Sequence, residues 1–189
     1  MRIRPRAESI TAARVLQSFN TWAYKREQPS EPDLLFHSVA SAVARHDSIN
    51  FVLYWGKGLR QAISEAELAC LDYLSQMSRR IEAVYSPGAA FTLIMTDTHA
   101  AHNGHPKASV LGYFDGVANA ASDYGFSTCL LSELVGIADK VHPQSGTREP
   151  GPEILASLER CAQKWYRGDG SVTSGAAIYY RMNMSEAGR

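Results

Sequence analysis

The sequence predicts an α/β fold in which a small parallel sheet has helices on both faces, a Rossmann-like and helix-rich arrangement. Short apolar runs rich in strand-forming residues alternate with longer stretches of helical periodicity. The connections between these segments are short, and a strand–helix–strand order then favours parallel pairing with right-handed crossovers. The chain of 189 residues, with 45% hydrophobic and 20% charged residues, has the length and composition of a globular protein.

Three apolar runs are the predicted strands. Residues 49–55 form a run of strand formers that ends at Gly56 and predicts a buried strand. Residues 90–96 are almost continuously apolar, as expected of a strand that is buried on both faces. Residues 126–131 form the third run, so the three should be adjacent parallel strands.

Apolar residues at helical spacing predict the helices around these strands. Ser64 and Glu67 form a capping-box pattern at the start of one crossover helix, and Gly125 is a natural stop for the other. The predicted helices cover residues 8–26, 33–45, 64–85, 107–124, about 133–140, 152–166 and 173–187. We interpret residues 1–189 as one domain, with a helical segment over 1–46, a βαβαβ core over 47–141 and C-terminal helices over 150–187.

The overall charge and the N-terminus exclude several classes of partner. Lys plus Arg and Asp plus Glu each count 19, so the net charge is zero and does not favour a nucleic-acid partner. The first residues are basic but no apolar segment follows them, and no run is long enough to cross a bilayer. Three widely separated cysteines fit free thiols in a reducing compartment, so we expect a cytoplasmic protein without a membrane partner.

Glycine patterns of nucleotide sites are absent. The dinucleotide pattern G-x-G-x-x-G does not occur, and Gly56-Lys57-Gly58 is too short to replace it. The lysine motif of P-loop nucleotide sites is also missing. The sequence therefore predicts no cofactor.

Candidate site residues follow the predicted strands. Ligands of open parallel sheets bind at the carboxyl ends of the strands. Cations in the first loop and acid, amide and imidazole groups in the second would suit an anionic metabolite. These candidates are Lys57, Arg60, Asp97, His99, Asn103 and His105, and the third strand end adds Ser132 and Glu133.

Three interpretations of the polar segment 97–106, read as a loop, stay open. His99, His102 and His105 with Asp97 resemble a metal-ligand set, but their spacing matches no metal signature such as His-Glu-x-x-His. Asp97 and His99 are also suited to acid–base work, and the segment can equally be a solvated structural loop. We therefore expect acid–base use and no metal.

The neighbouring residues also have purely structural interpretations. Lys57 and Arg60 are equally compatible with exposed loop cations. Tyr54 and Trp55 are interpreted as core packing rather than as a platform for a stacked ligand.

Two stretches resemble the isonitrile (isocyanide) synthases of the pyoverdine/dityrosine biosynthesis family, and together the resemblance covers about residues 45–189. In the first, a long helix leads into a Tyr-x-Pro-Gly turn and a buried strand that ends in an acidic residue. It reads Leu71-x-x-Leu74 and then Arg80-Ile81-x-x-x-Tyr85-x-Pro87-Gly88-Ala89-x-Phe91-Thr92-Leu93-Ile94-x-Thr96-Asp97. The second reads Ala162-x-Lys164-x-Tyr166-Arg167-Gly168 and then Gly175-x-x-x-Tyr179-Tyr180-Arg181-Met182-x-Met184-Ser185-Glu186-Ala187.

The resemblance implies a Rossmann-like fold and a biosynthetic reaction. An amino acid's α-amino group would condense with ribulose 5-phosphate, whose carbonyl carbon becomes the isonitrile carbon. Lys57 and Arg60 would hold phosphate or carboxylate, while Asp97 and His99 would move protons. Asn103, His105 and Arg181 are the further candidate substrate-binding residues, and the helix that contains Arg181 can close over the site or dock only for packing. The amino acid and the phosphosugar are thus the expected small-molecule partners.

The sequence also departs from that family. Relative to it, the chain is expected to be shortened at the C-terminus, and its segments after the first two strands differ. Two alternatives therefore stand beside an isonitrile synthase-like enzyme. One is a metal-dependent enzyme using His99, His102 and His105, and the other is a non-catalytic accessory subunit of a biosynthetic complex. A homodimer and a partner biosynthetic enzyme are both open.

Overall fold

The computed structural model describes residues 7–19, 29–56, 61–134, 151–165 and 171–187. The side chains of His102, of residues 164–165 and of residues 181–187 are outside this description. Lys57, Arg60 and the predicted continuations of two helices, over 20–26 and 135–140, also lie outside the described residues.

The described residues form three strands and eight helices. The strands are β1 (Ile49–Trp55), β2 (Ala89–Met95) and β3 (Ser127–Leu130). The helices are α1 (Ala7–Phe19), α2 (Pro32–Arg45), α3 (Glu65–Glu82), α4 (Asp97–His102), α5 (Lys107–Asp123), α6 (Leu131–Leu134), α7 (Pro152–Trp165) and α8 (Val172–Ala187).

The strands form one parallel sheet in the order β1-β2-β3, surrounded by helices. Helix α3 connects β1 to β2, while α4 and α5 connect β2 to β3. This arrangement confirms the predicted α/β class and the predicted adjacency of the three strands. None of the helices described is long and apolar enough to cross a membrane.

Internal contacts divide the chain into two compact units. The first comprises Met1–Leu53, Ile63–Leu93 and Val117–Thr128, and the second comprises Tyr54–Ala62, Ile94–Gly116 and Cys129–Arg189. The single domain expected from the sequence stays a prediction.

A row of phenylalanines forms the centre of the first unit. The ring of Phe51 on β1 meets Phe19 edge-on at 5.0 Å and stacks on Phe91 of β2 at 4.9 Å. Phe91 in turn lies 5.1 Å from Phe126. Helix α1 packs on α2 and α3 in the same unit, so the helices and the strands share this apolar core.

The central strand is buried as predicted, but β1 is not. Leu93, Ile94 and Met95 of β2 are all buried. In β1 every second residue is exposed, and Val52 retains 63% of its accessible surface. One face of β1 is therefore exposed to solvent, and the prediction of a buried strand is wrong.

Local signals in the sequence placed several helix ends correctly. The main-chain N–H of Ser64 donates to Glu67 Oε2 at 2.9 Å, as the capping-box pattern predicts. The Ser64 hydroxyl donates to the same oxygen. Gly125 ends α5 with a φ of 74°, in the left-handed region that glycine adopts without strain. The short helix after β3 begins earlier than predicted, at Leu131, so β3 ends at Leu130.

Candidate functional site

The carboxyl ends of β1 and β2 are joined within the second unit. The N–H and the hydroxyl of Thr96 both donate to the carbonyl oxygen of Trp55, at 3.0 and 3.2 Å. The indole Nε1–H of Trp55 donates to the hydroxyl of Tyr113 on α5 at 3.3 Å. These bonds fix the backbone where candidate site residues follow β2.

The polar segment after β2 begins as a helix, whereas the sequence predicts a loop. Helix α4 runs from Asp97 to His102, and its residues Thr98 and Ala100 are buried. The His105 N–H donates to the Ala100 carbonyl at 3.1 Å and the Gly104 N–H to the Ala101 carbonyl at 2.9 Å. This bond pair, with Gly104 at a φ of 79°, is a Schellman motif. The glycine therefore ends a helix instead of marking an open loop.

The carboxylate of Asp97 connects the ends of β2 and β3. Its Oδ1 accepts a hydrogen bond from the main-chain N–H of Ser132 at 3.0 Å. Ser132 is the second residue of α6, which follows β3 directly, and it is buried. Asp97 itself is half-buried, so a carboxylate held by the fold is still partly accessible to solvent.

His99 lies two residues further along α4 and is half-buried. Its ring centre is 6.4 Å from that of Tyr54, with the two planes tilted by 33°. Tyr54 retains 68% of its accessible surface, so the interpretation of this residue as core packing is wrong. An accessible phenol ring therefore lies beside the imidazole.

Asn103 and His105 both take part in ending α4. The side-chain amide of Asn103 donates to the carbonyl oxygen of His99 at 2.9 Å, and the side chain is exposed. His105 is half-buried and contributes its main-chain N–H to the helix end. The structure thus brings Asp97, His99, Asn103 and His105 together on one short helix and its C-terminal turn.

The side chains of the three predicted cationic residues lie outside the described part of the structure. Lys57 and Arg60 lie outside the described residues, and for Arg181 the structure describes only the backbone, within α8. Helix α8 packs against α4, and α4 also packs against α6, all within the second unit. The substrate-binding roles of the three cations stay predictions.

Sequence reasoning missed three residues that shape this region. Thr96, Trp55 and Tyr113 hold the strand ends through hydrogen bonds. Thr96 carried a usable signal, because it is a polar residue at the end of an apolar run. Tyr113 carried none, because a tyrosine at an inward-facing helix position is ordinary core.

The described residues contain no group of three or more His, Cys, Asp and Glu side chains that could hold a metal ion. The side chain of His102, one member of the hypothetical metal set, is outside the description.

Comparisons with known proteins identify a similar fold. No protein-family model matches the chain, and no curated protein matches it. The crystal structure of the PvcA protein from Pseudomonas aeruginosa matches with a TM-score of 0.61 at 20% sequence identity, covering 93% of this chain and 72% of PvcA. At this identity the similarity shows a shared fold, and it agrees with the α/β class expected from the sequence. The chain therefore shares the fold of PvcA.

Proposed function

We propose that the protein is a small biosynthetic enzyme resembling isonitrile synthases. It would act on the α-amino group of an amino acid with ribulose 5-phosphate as co-substrate, in the cytoplasm. The observation that carries the proposal is the likeness in fold to PvcA over 93% of the chain. The sequence resemblance to isonitrile synthases supports it independently, since it rests on residue patterns.

The arrangement at the end of β2 suits the proton transfers of such a reaction. Condensing an amine with a ketone carbonyl forms an imine and releases water. The later fragmentation of the sugar-derived part of this imine requires further proton transfers. Asp97 offers a partly accessible carboxylate as the general base, and His99 offers an imidazole that can donate or accept a proton. Because both lie on α4, their spacing is set by one helix.

The cations of this proposal bind the charged groups of the two substrates. Lys57 and Arg60 follow β1, and Arg181 belongs to α8. A carboxylate and a phosphate are anions that arginine and lysine recognise through charge-assisted hydrogen bonds. Asn103 and His105 would add polar contacts from the end of α4.

A labelling experiment tests the reaction directly. The purified protein is incubated with each amino acid and with ribulose 5-phosphate that carries ¹³C at its carbonyl carbon. We expect an isonitrile product that contains the label, detected by mass spectrometry and by trapping with a tetrazine. An unlabelled isonitrile would contradict the assigned carbon source, and no product with any amino acid would contradict the proposed activity.

Substitutions test the assigned roles. Lys57→Ala and Arg60→Ala should each weaken substrate binding by about tenfold to a hundredfold, because a charge-assisted hydrogen bond is lost.

Asp97→Asn should keep binding and lose turnover, because the amide preserves the shape but accepts no proton. Affinity, product formation and melting temperature are measured together.

Lys107→Ala, which removes an exposed cation at the start of α5, is the matched control for loss of charge. Equal binding by the control and by both cation variants would support the view that Lys57 and Arg60 are ordinary loop cations. About one zinc or iron per chain in elemental analysis would instead favour the metal-dependent alternative. Substrate binding without turnover would favour the accessory subunit.

A further inference from the structure

The main-chain amide of Ser132 and the carboxylate of Asp97 meet where two strands end. The N···Oδ1 distance of 3.0 Å is that of an ordinary N–H···O hydrogen bond. Only 4% of the surface of Ser132 is accessible, whereas Asp97 is half-buried. One oxygen of a partly accessible carboxylate is therefore fixed by a donor that lies inside the fold.

The position of the donor explains why it is available. The first N–H groups of a helix have no partner within that helix, and Ser132 is the second residue of α6. Leu131 before it is 1% exposed, so the start of α6 is held in the core. A main-chain N–H has no side-chain rotamers, so its direction is set by the backbone alone.

The second carboxylate oxygen of Asp97 is the one that would accept a proton from the substrate. Within the described residues, the Ser132 amide is the only hydrogen-bond donor to Asp97. A group that removes a proton must be held at a defined distance and angle from it, and a misplacement of about 1 Å can slow a reaction about a hundredfold. Fixing one oxygen restricts the rotation of the carboxylate and so orients the other.

We propose that Ser132 is a positioning residue, whose main-chain amide orients the Asp97 carboxylate for proton transfer. This inference rests on the proposed function, because it assigns Asp97 as the base of that reaction. It makes the end of β3 part of the site, although Ser132 itself touches no substrate. The Ser132 hydroxyl has no part in it.

Proline substitution isolates the amide. Ser132→Pro removes the N–H, and the first turn of a helix tolerates proline because its N–H groups have no intrahelical partner. We expect kcat to fall about tenfold to a hundredfold with little change in KM, since orientation matters in the transition state more than in binding. Ser132→Ala keeps the amide and should lose much less kcat than Ser132→Pro.

Glu65→Pro is the control for proline at the start of a helix, because Glu65 is exposed, lies in the first turn of α3 and follows the extended residue Ser64. It should retain most of the kcat. Parent-like kcat in Ser132→Pro would overturn the inference. An equal loss in Glu65→Pro would overturn it as well, because the effect would then come from proline at a helix start.

A measurement on the resting protein separates this inference from the proposed function. In the NMR spectrum, the Ser132 amide proton should exchange with solvent more slowly in the parent than in Asp97→Ala, which lacks the acceptor oxygen. Equal exchange rates in the two proteins refute the positioning bond even if Ser132→Pro fails to fold. If the bond is present but the labelling experiment yields no isonitrile, the proposed function alone fails.

Discussion

The hydroxyl of Tyr85 connects the turn before β2 to the junction between α2 and β1. The side chain is 6% exposed, and its hydroxyl donates to the carbonyl oxygens of Asp47 at 2.8 Å and Ala42 at 3.3 Å. Burial raises the pKa of Tyr85, the charge of Asp47 raises it further, and the nearby Arg45 lowers it. One phenol therefore satisfies main-chain carbonyls that its removal would leave without this donor.

Removing that hydroxyl should weaken the fold. Tyr85→Phe should lower the free energy of unfolding by about 1–3 kcal/mol, the usual cost of leaving a buried polar group unsatisfied. Chemical denaturation of parent and variant measures the change. Tyr124→Phe is the control, because Tyr124 is a half-buried tyrosine of the same unit whose ring stacks on Phe126. Equal effects in the two variants would contradict the role of the Tyr85 hydroxyl.

The same residue predicts a dependence of stability on alkaline pH. The pKa of Tyr85 is higher in the folded protein than the unfolded value of about 10, so the unfolded chain releases this proton first. The stabilisation is fully present below about pH 10 and is lost as the pH rises through the folded pKa. Denaturation series at increasing pH should show a decrease in the parent that is smaller in Tyr85→Phe. Identical pH profiles in the parent and in Tyr85→Phe would contradict the contribution of Tyr85 to this pH dependence.

At the candidate site, residue type predicts some features and not others. Asp97 was predictable because an acidic residue directly after a buried strand lies at the edge where ligands bind. Its bond to Ser132 was not, because the donor is a main-chain N–H 35 positions away, which no residue type marks. The exposure of Tyr54 was equally hidden, since an aromatic residue in an apolar run is more often buried.

At the scale of the element, two glycines affect the stability of helix α5 in opposite ways. Gly112 lies within the helix, and a Cβ there would meet nothing within 4 Å. Gly125 follows the helix at a φ of 74°, where a side chain is strained whatever the space around it. One glycine weakens the helix, whereas the other allows the chain to leave it.

We therefore expect the two alanine substitutions to change stability in opposite directions. Gly112→Ala should stabilise by about 0.5–1 kcal/mol, because alanine is the better helix former. Gly125→Ala should destabilise by about 1 kcal/mol, because alanine disfavours the left-handed conformation. Thermal unfolding of the two variants compares them, and a shift of the same sign in both would refute this account.

Elements defined by local chemistry were predictable, whereas those defined by distant partners were not. The Ser64–Glu67 cap and the stop at Gly125 use residues that are neighbours in sequence. Helix α4 was missed because Asn103-Gly104 is typical of a turn and also of a helix end. The exposed face of β1 was missed because an apolar run does not show which of its two faces the rest of the chain covers.

For the molecule as a whole, the outer edge of β1 favours self-association. Ile49 N–H and the Trp55 carbonyl bond to the segment of β2, so the alternate residues between them direct their main-chain groups away from it. Within the described residues no strand pairs with that side. The strand has neither charge nor proline, which proteins commonly use to protect such edges, and the net charge of the chain is zero.

A lysine on this strand should lower aggregation. Val52→Lys places a charge at an exposed position of β1 and should reduce light scattering during heating at neutral pH, with stability changed by less than about 0.5 kcal/mol. Leu111→Lys, at an exposed position of α5, adds the same charge away from the edge. Equal protection by both variants would attribute the effect to net charge alone.

The contacts at the start of β1 also bear on the order in which the chain folds. Ser48 Oγ donates to the Pro87 carbonyl, and Tyr85 donates to the Asp47 carbonyl, so these bonds close loops of 39 and 38 positions. Helix α3 occupies 18 positions of that loop and can form locally, on a timescale far shorter than long-range pairing. A helix rises only about 1.5 Å per residue, so its formation brings the two strands closer before they pair. The entropic cost of bringing β1 and β2 together is thereby reduced, and we expect these strands and α3 to form the folding nucleus.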